Sequence, residues 1–347
     1  MSTSPAPRST IGINDVARFA GVSIGTVSNV LNHPQRVAPK TLERVQHAID
    51  ALRYVPNGAA RSLAAGESRT IGVVISDLDN SLFIDIARGA EDAAERMSHV
   101  LMLANTDGRV ERERRALDVF DSARVGGLML TLNDADHFRS VVSHRPGRTP
   151  LVLLNYHDQS GIYDSVYIDN VHGGRTAARH LIDSGRRRIV FVGGPTSLQP
   201  IAERRRGFLD AMAEAGLLPM DVLALEAINR ADGWRAGRRL VDRVRSGEVD
   251  GIVAASDLLA AGIIQAFAEA PDITLPGDVG VIGYDNNRAA WDAPLPITTI
   301  GQPGQDLGAA GVELLIERMN SGGTESGGTR ALSLTPSLVE RMSTRRA

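Results

Sequence analysis

The sequence predicts a small three-helix head followed by a two-lobed α/β body built on parallel sheets. Three observations predict it. Apolar residues recur at helical spacing, without a strand, between residues 11 and 54. From Thr70 onward, apolar runs alternate with amphipathic helical stretches. The chain has 347 residues, 43% of them hydrophobic, and its last 275 or so exceed what one core comfortably serves.

Residues 1–10, MSTSPAPRST, read as a disordered tail. In the head, residues 11–55, Ile13, Val16, Ala17 and Ala20 form one apolar face and Gly21 breaks the helix. Ser23 is placed to cap a second helix carrying Ile24, Val27, Val30 and Leu31. After Asn32-His33-Pro34, Pro39 suits a first helical turn, and Leu42, Val45, Ile49 and Leu52 stripe a third helix. Residues 56–69 form a linker: Pro56 stops the preceding helix, and Ala59–Ala65 favours a helix too short to stand alone in water.

The body, residues 70–345, holds the apolar runs Ile71–Ile75, Val100–Ala104, Leu128–Leu130, Leu151–Leu154, Val166–Ile168, Ile189–Val192, Ile252–Ala255 and Val279–Ile282. Strands buried on both faces read as such runs, so parallel sheets covered by helices are expected. The rhythm restarts near Asp169. The change between the two lobes is placed there.

Composition narrows the function. There is no cysteine, so disulfide and thiolate chemistry are excluded. No apolar stretch approaches the roughly 20 residues that cross a bilayer, and the opening lacks the apolar centre of a secretory signal, which points to the cytoplasm. Net charge is −3, but residues 1–69 carry eight Lys/Arg against four acids (+4) and the remainder 30 against 37 (−7). A basic head on an acidic body lets only one end approach phosphates.

Enzymatic signatures are missing. The sequence has no Walker loop, no dinucleotide fingerprint after the first strand, no His-Glu-x-x-His and no nucleophile elbow. Gly193-Gly194-Pro195 reads as a turn, and the eight histidines lack metal-ligand spacing. No catalytic residue, metal or cofactor is expected.

Asp15 to Asn32, DVARFAGVSIGTVSNVLN, has the spacing of a helix-turn-helix. Its second helix offers hydroxyls for phosphates from Ser23, Thr26 and Ser28, and places Ile24, Gly25 and Asn29 outward. By itself this pattern also fits a helical bundle with no DNA role. Together with VAPKTLERVQHAIDALRYVPNGAARSLAAGES, TIGVVISDLDNSLFIDIARGAEDAAER, YIDNVHGGRTAARHLIDSGRRRIVFVGG, AERRRGFLDAM, SDLLAAGII, VGVIGYDNN and PLPITTIGQP, it resembles the LacI/GalR family of transcription regulators from about residue 11 to residue 341.

The resemblance implies a homodimer, most simply a repressor, whose heads read a near-palindromic double-stranded operator. It assigns DNA contact to Ser23, Ile24, Gly25, Thr26, Ser28, Asn29, Asn32, Tyr54 and Asn57. It also makes residues 56–69 a hinge helix in which Leu63 wedges into the minor groove while Ala60, Arg61 and Ala64 lie along it. Many members carry Arg where this chain has Asn29, so adenine rather than guanine is the base its side chain suits. The closing SLVERMSTRRA lacks leucine heptads, so a dimer without a tetramerising coiled coil is expected.

In open α/β sheets ligands sit beyond the carboxyl ends of strands. Here those positions hold Ser76, Asp77, Asp79, Asn80, Asn105, Thr131, Asn155, Asp169, Ser256, Asp257 and Asp285, a set suited to a ligand rich in hydroxyls. The resemblance also implies a body like a periplasmic binding protein, with lobe 1 at about 70–168 and 299–325 and lobe 2 at about 169–298 and 326–345, and it sharpens the effector-binding set to Asn80, Phe83, Thr131, Asn155, Arg204, Ser256, Asp257, Asp285 and Gln302. Arg204 and Asp285 would hold polar groups, and Phe83 would wall a ring, while Ile228 stands where an aromatic is usual and Ser256 where Asn is common. The effector is thus expected to be a small polar molecule, a sugar or sugar derivative by preference. A periplasmic-type sugar-binding protein or an α/β enzyme are the alternatives.

Overall fold

The computed structural model describes residues 11–54, 68–144, 149–321 and 328–345, and separates into two units, Met1–Ser68 and Arg69–Ala347. The tail and the hinge residues Asn57, Ala60, Arg61, Leu63 and Ala64 lie outside the described residues.

In the first unit, α1 (Ile13–Ala20), α2 (Ile24–Asn32) and α3 (Pro39–Leu52) close one core. Asp15 accepts from the Gly12 amide at 3.0 Å and so holds the start of α1. The turn is left-handed at Gly21 (φ 62°), and Val22 N donates back to Ala17 O at 3.0 Å. Such a cap favours glycine because a Cβ would clash with the backbone. Val16, Val27 and Val45 are fully buried at the centre, with Ala17, Ala20, Val30 and Ala48 around them. Burying a valine contributes roughly 1.5–3 kcal/mol. Arg44 braces the turn from α3 by donating to the carbonyls of Ala20 (2.8 Å) and Gly21 (3.1 Å).

The second unit holds two six-stranded sheets. The first contains β1 (Thr70–Ile75), β2 (Val100–Asn105), β3 (Gly127–Thr131), β4 (Leu151–Leu154), β5 (Asp164–Ile168) and β11 (Ala331–Leu334), in the order β11-β5-β4-β3-β1-β2. The second contains β6 (Ile189–Gly193), β7 (Asp221–Ala224), β8 (Gly251–Ala254), β9 (Gly280–Asp285), β10 (Thr298–Gly301) and β12 (Ser337–Val339), in the order β12-β10-β9-β8-β6-β7. Every pairing is parallel except that of β10 with β12. Alternation across the pleat fills both faces. In β1, Ile71, Val73 and Ile75 enter one core while Val74 enters the other, with Leu128 and Leu130.

The lobes therefore divide differently from the sequence boundaries. Thr298–Gly301 pairs with β9 and belongs wholly to lobe 2, so the chain crosses into lobe 1 at Gln302-Pro303. Ala331–Leu334 pairs with β5 in lobe 1, and only β12 returns to lobe 2. Both segments lack the signal that reveals a buried strand: Thr298 and Thr299 are buried but polar, and β11 is a largely exposed edge.

Candidate functional site

On the head, the outward surface of α2 is preformed. The Ser23 hydroxyl accepts from Thr26 N at 3.1 Å and lies 2.9 Å from the Thr26 hydroxyl, which fixes the start of the helix. Ser23, Ile24, Gly25, Asn29 and Asn32 are exposed, Thr26 and Ser28 half-buried. Ile24 is 50% exposed despite its helical spacing with the core, and Val27 and Val30 are the buried residues that anchor α2. Asn32 donates to the Ser28 hydroxyl at 3.3 Å, whereas the exposed side-chain amide of Asn29 has no hydrogen-bond partner among the described residues. Tyr54 packs half-buried against the core, so only its edge is offered outward.

In the body, a cavity of about 120 Å³ opens between the lobes. Six expected residues line it: Asn80, Phe83, Asn155, Arg204, Ser256 and Asp285. Asp77 joins them, its carboxyl pushed above the usual range by burial. Asn133, Leu82, Leu198, Pro200, Ile201 and Ile228, absent from the sequence-derived effector set, complete the wall.

Three expected residues stand behind the wall instead. The Thr131 hydroxyl is spent on Ser76 at 2.8 Å. Asp257 is wholly buried beneath Gly283 and accepts from Asn287 N at 2.8 Å, holding the loop after β9. Burial, and then the neighbouring Asp285 charge, push its carboxyl well above the ordinary range. Gln302 donates to Asp285 Oδ1 at 2.5 Å and so positions that carboxylate from the interlobe crossing.

Arg204 is the most heavily committed group. It lies on the helix Gln199–Glu214, which approaches the helix Asn170–Asp183 so closely that a Cβ on Gly174 would collide with the Arg204 carbonyl, and one on Gly207 with that of Val171. Asn170 accepts from Arg204 Nε at 2.9 Å, and the Ala255 carbonyl accepts from Nη1 at 2.7 Å. The guanidinium lies 3.7 Å from the centre of the Tyr284 ring and pairs with Asp285 at 3.3 Å. Tyr284 in turn donates to Asn170 Oδ1 at 3.2 Å, and burial pushes its phenol upward. Burial also pushes the Asp285 carboxyl up, against the pull of Arg204, Gln302 and Asn80.

Two cavity residues sit at strand ends with positive φ, Asn155 (61°) and Asp285 (105°), a conformation costing of order 1–3 kcal/mol that aims their side chains into the cleft. Asn155 donates to Asn133 Oδ1 at 2.9 Å, and its own Oδ1 is buried without a partner. Arg204 and Asp285 thus present a paired charge from one lobe, and Asn155 an unused acceptor from the other. Among the described residues no cluster of His, Asp or Glu is placed to hold a metal ion, and no helix is long and apolar enough to cross a membrane.

A helix-turn-helix unit joined in one chain to a two-lobed cleft defines a class: DNA-binding regulators with a periplasmic-binding-type body. Residues 12–57 match the model of bacterial regulatory proteins of the lacI family, and residues 178–344 that of the periplasmic binding protein-like domain. The HTH-type transcriptional repressor PurR of Photobacterium profundum is 33% identical over 339 residues, covering 95% of this chain and 98% of that relative. The crystal structure of the lac repressor dimer bound to operator and the anti-inducer ONPF superposes with a TM-score of 0.83 at 27% identity, covering 96% of this chain and 99% of the other. The complex of the transcriptional regulator CelR with cellobiose follows at 0.70 and 29%, again over 96% and 99%. The chain belongs to the LacI family of DNA-binding transcription regulators and is not an enzyme.

Proposed function

We propose that the chain acts in the cytoplasm as a homodimeric repressor whose heads read a near-palindromic operator, and that a small polar ligand in the body cleft controls it. The observation that carries the reading is the pairing of two unlike surfaces in one chain: an exposed, capped recognition helix and a buried cleft built around Arg204 and Asp285. Ser23, Ile24, Gly25, Thr26, Ser28, Asn29 and Asn32 form the DNA-facing set, with Tyr54 and, on sequence grounds alone, Asn57, Ala60, Arg61, Leu63 and Ala64. Pairing of two copies is supported by the edge strand β2, which exposes Val100 (66%), Met102 and Leu103, an apolar strip that an isolated chain would leave wet.

The ligand we infer is a single-ring sugar or sugar derivative. The cavity lies below the roughly 300–1,000 Å³ of sites that take drug-sized molecules. Its wall alternates Phe83, Leu198, Ile201 and Ile228 with an unused carbonyl acceptor on Asn155, the Arg204–Asp285 pair and the Ser256 hydroxyl. Hydroxyls, which donate and accept, answer that set. The similar regulator CelR is complexed with cellobiose, itself a sugar, which supports the class. Nucleosides, whose sugar hydroxyls answer the same wall, are the class to test beside free sugars.

Thermal-shift screening of neutral sugars and nucleosides tests the reading, since a ligand at 100 times its Kd stabilises the body by about 2.7 kcal/mol. Binding of the leading hit must fall in Arg204→Ala and Asp285→Ala. Unchanged affinity in both would remove this cleft as the effector site, and weak, salt-erased binding to every duplex, with or without ligand, would end the regulator reading.

A further inference from the structure

Two seams join the lobes across the cavity. One lies beside the crossing at Gln302: Asn80 donates to Asp285 at 3.4 Å, Asn287 donates to Asn80 at 3.3 Å, and Arg288 N donates to the Ser81 hydroxyl at 3.0 Å. The other is made of backbone. Leu198 in lobe 2 pairs with Asp134 in lobe 1 as an antiparallel bridge, and Gln199 N donates to Asn133 O at 2.7 Å. The Gln199 side chain then completes the seam. Its Oε1 accepts from His157 N at 2.8 Å and its Nε2 donates to His157 O at 3.2 Å, so one amide takes both backbone groups of a residue in the other lobe.

Each anchor of this second seam is itself held. His157 stacks on Tyr167 with ring centres 4.3 Å apart and planes 8° from parallel. The loop that follows is tied by Asp158, which accepts from the amides of Ser160, Ile162 and Tyr163 at 2.8–2.9 Å. Asp134 caps its own helix by accepting from the amides of Asp136 and His137. On the lobe 2 side, Gln199 opens the helix that carries Arg204. Leu198 and Asn133 also line the cavity, so a ligand there would touch the seam directly.

We propose that Gln199, acting with the Asp134–Leu198 bridge, is a latch that holds the two lobes together across the cavity. Entry to the cavity then requires its release, and Gln199 is a positioning residue that sets the open fraction. The latch stands on interlobe geometry alone; only its consequence for DNA rests on the regulator reading.

Amide exchange on the full chain tests it. In Gln199→Ala the His157 amide loses its acceptor and exchanges at least ten-fold faster. If the seam opens as a unit, the amide of residue 199 also exchanges several-fold faster, although Ala keeps the bond to Asn133 O, while the amides of β8 stay protected and report an intact lobe. Gln199→Glu, which retains the acceptor and loses the donor, falls between. Acceleration at His157 alone, with residue 199 unchanged, would overturn the latch.

A second measurement guards against misfolding of that variant. The chain has no cysteine, so Asp134→Cys with Leu198→Cys creates a single cross-link across paired residues, whose spacing suits a disulfide. The cross-link forms readily without ligand when Gln199 is present and several-fold more slowly with Gln199→Ala; equal rates would also overturn the latch. Failure of the regulator reading looks different: oxidised and reduced forms of the double variant would bind a duplex from the chain's own promoter region equally, with the cross-linking rates unaffected.

Discussion

The recognition surface of the head and the cleft of the body treat polar groups in opposite ways. Along α2, the Asn29 side-chain amide faces outward with no partner among the described residues, so a partner molecule meets a group that is already free. In the cleft, Arg204 is bonded to Asn170, Ala255 and Asp285, and Asp285 also takes up Gln302 and Asn80. A ligand there must exchange one set of hydrogen bonds for another. The first surface is poised for affinity and selectivity by contact, the second for a change of state, because a ligand that binds one arrangement of these bonds better than another shifts the lobes toward it.

The largest effect that sharpens this contrast is on the cleft. Arg204→Ala leaves Asp285 buried with its charge unmatched and is expected to cost about 3–5 kcal/mol in chemical denaturation of the body. The Arg204→Ala, Asp285→Ala double variant should cost less than the two single costs added, because removing both partners leaves no orphaned charge. A strictly additive pair would mean the ion pair is not what the cleft is built around.

On the head, Asn29→Ala should leave the melting curve unchanged. It should weaken operator binding by about 1–3 kcal/mol in a titration on specific DNA, with little loss on random duplex. Equal losses on both would reduce Asn29 to a backbone contact. Ser23→Ala acts on the helix rather than on the partner. Removal of the cap should destabilise the head by about 1 kcal/mol, seen as faster amide exchange at Thr26.

The smallest effect is a pH dependence beside the backbone seam. His137 faces Glu113 at 3.0 Å from the neighbouring helix and Asp134 at 3.7 Å, with Asp136 adjacent, and the Glu113 hydrogen bond raises its pKa against burial. With a folded pKa above its free value near 6.5, its contribution is complete below that pH and is lost as pH rises through the higher value. His137→Gln should therefore flatten the slope of body stability against pH just above about 6.5, and an unchanged slope would show that the cluster carries no proton-linked stability.

Much of this was legible in advance, for identifiable reasons. The head is local: Gly21, the Ser23 cap and stripes at helical spacing specify it within some forty residues. Cleft residues at strand ends were legible because parallel sheets put them there, and Asn80, Asn155, Ser256 and Asp285 are so placed. Thr131 departs from the strand-end rule because its hydroxyl turns inward to Ser76, and the cavity is reached two residues later by Asn133. Leu198 and Gln199 gave no signal, since what matters in them is mostly backbone meeting backbone across a distance in sequence that no period encodes. The same holds for β10 and β11, whose lobe is decided by pairing rather than by hydrophobicity.

The three passages of chain between the lobes, after β5, at Gln302-Pro303 and between β11 and β12, make each lobe a patchwork of separate segments. A fragment cut anywhere before Arg330 would lack an edge strand in both halves at once, so neither half is an autonomous module. Grafting a new specificity onto this body by exchanging a lobe means transplanting several pieces in register, whereas changing single residues around Arg204 leaves the weave intact.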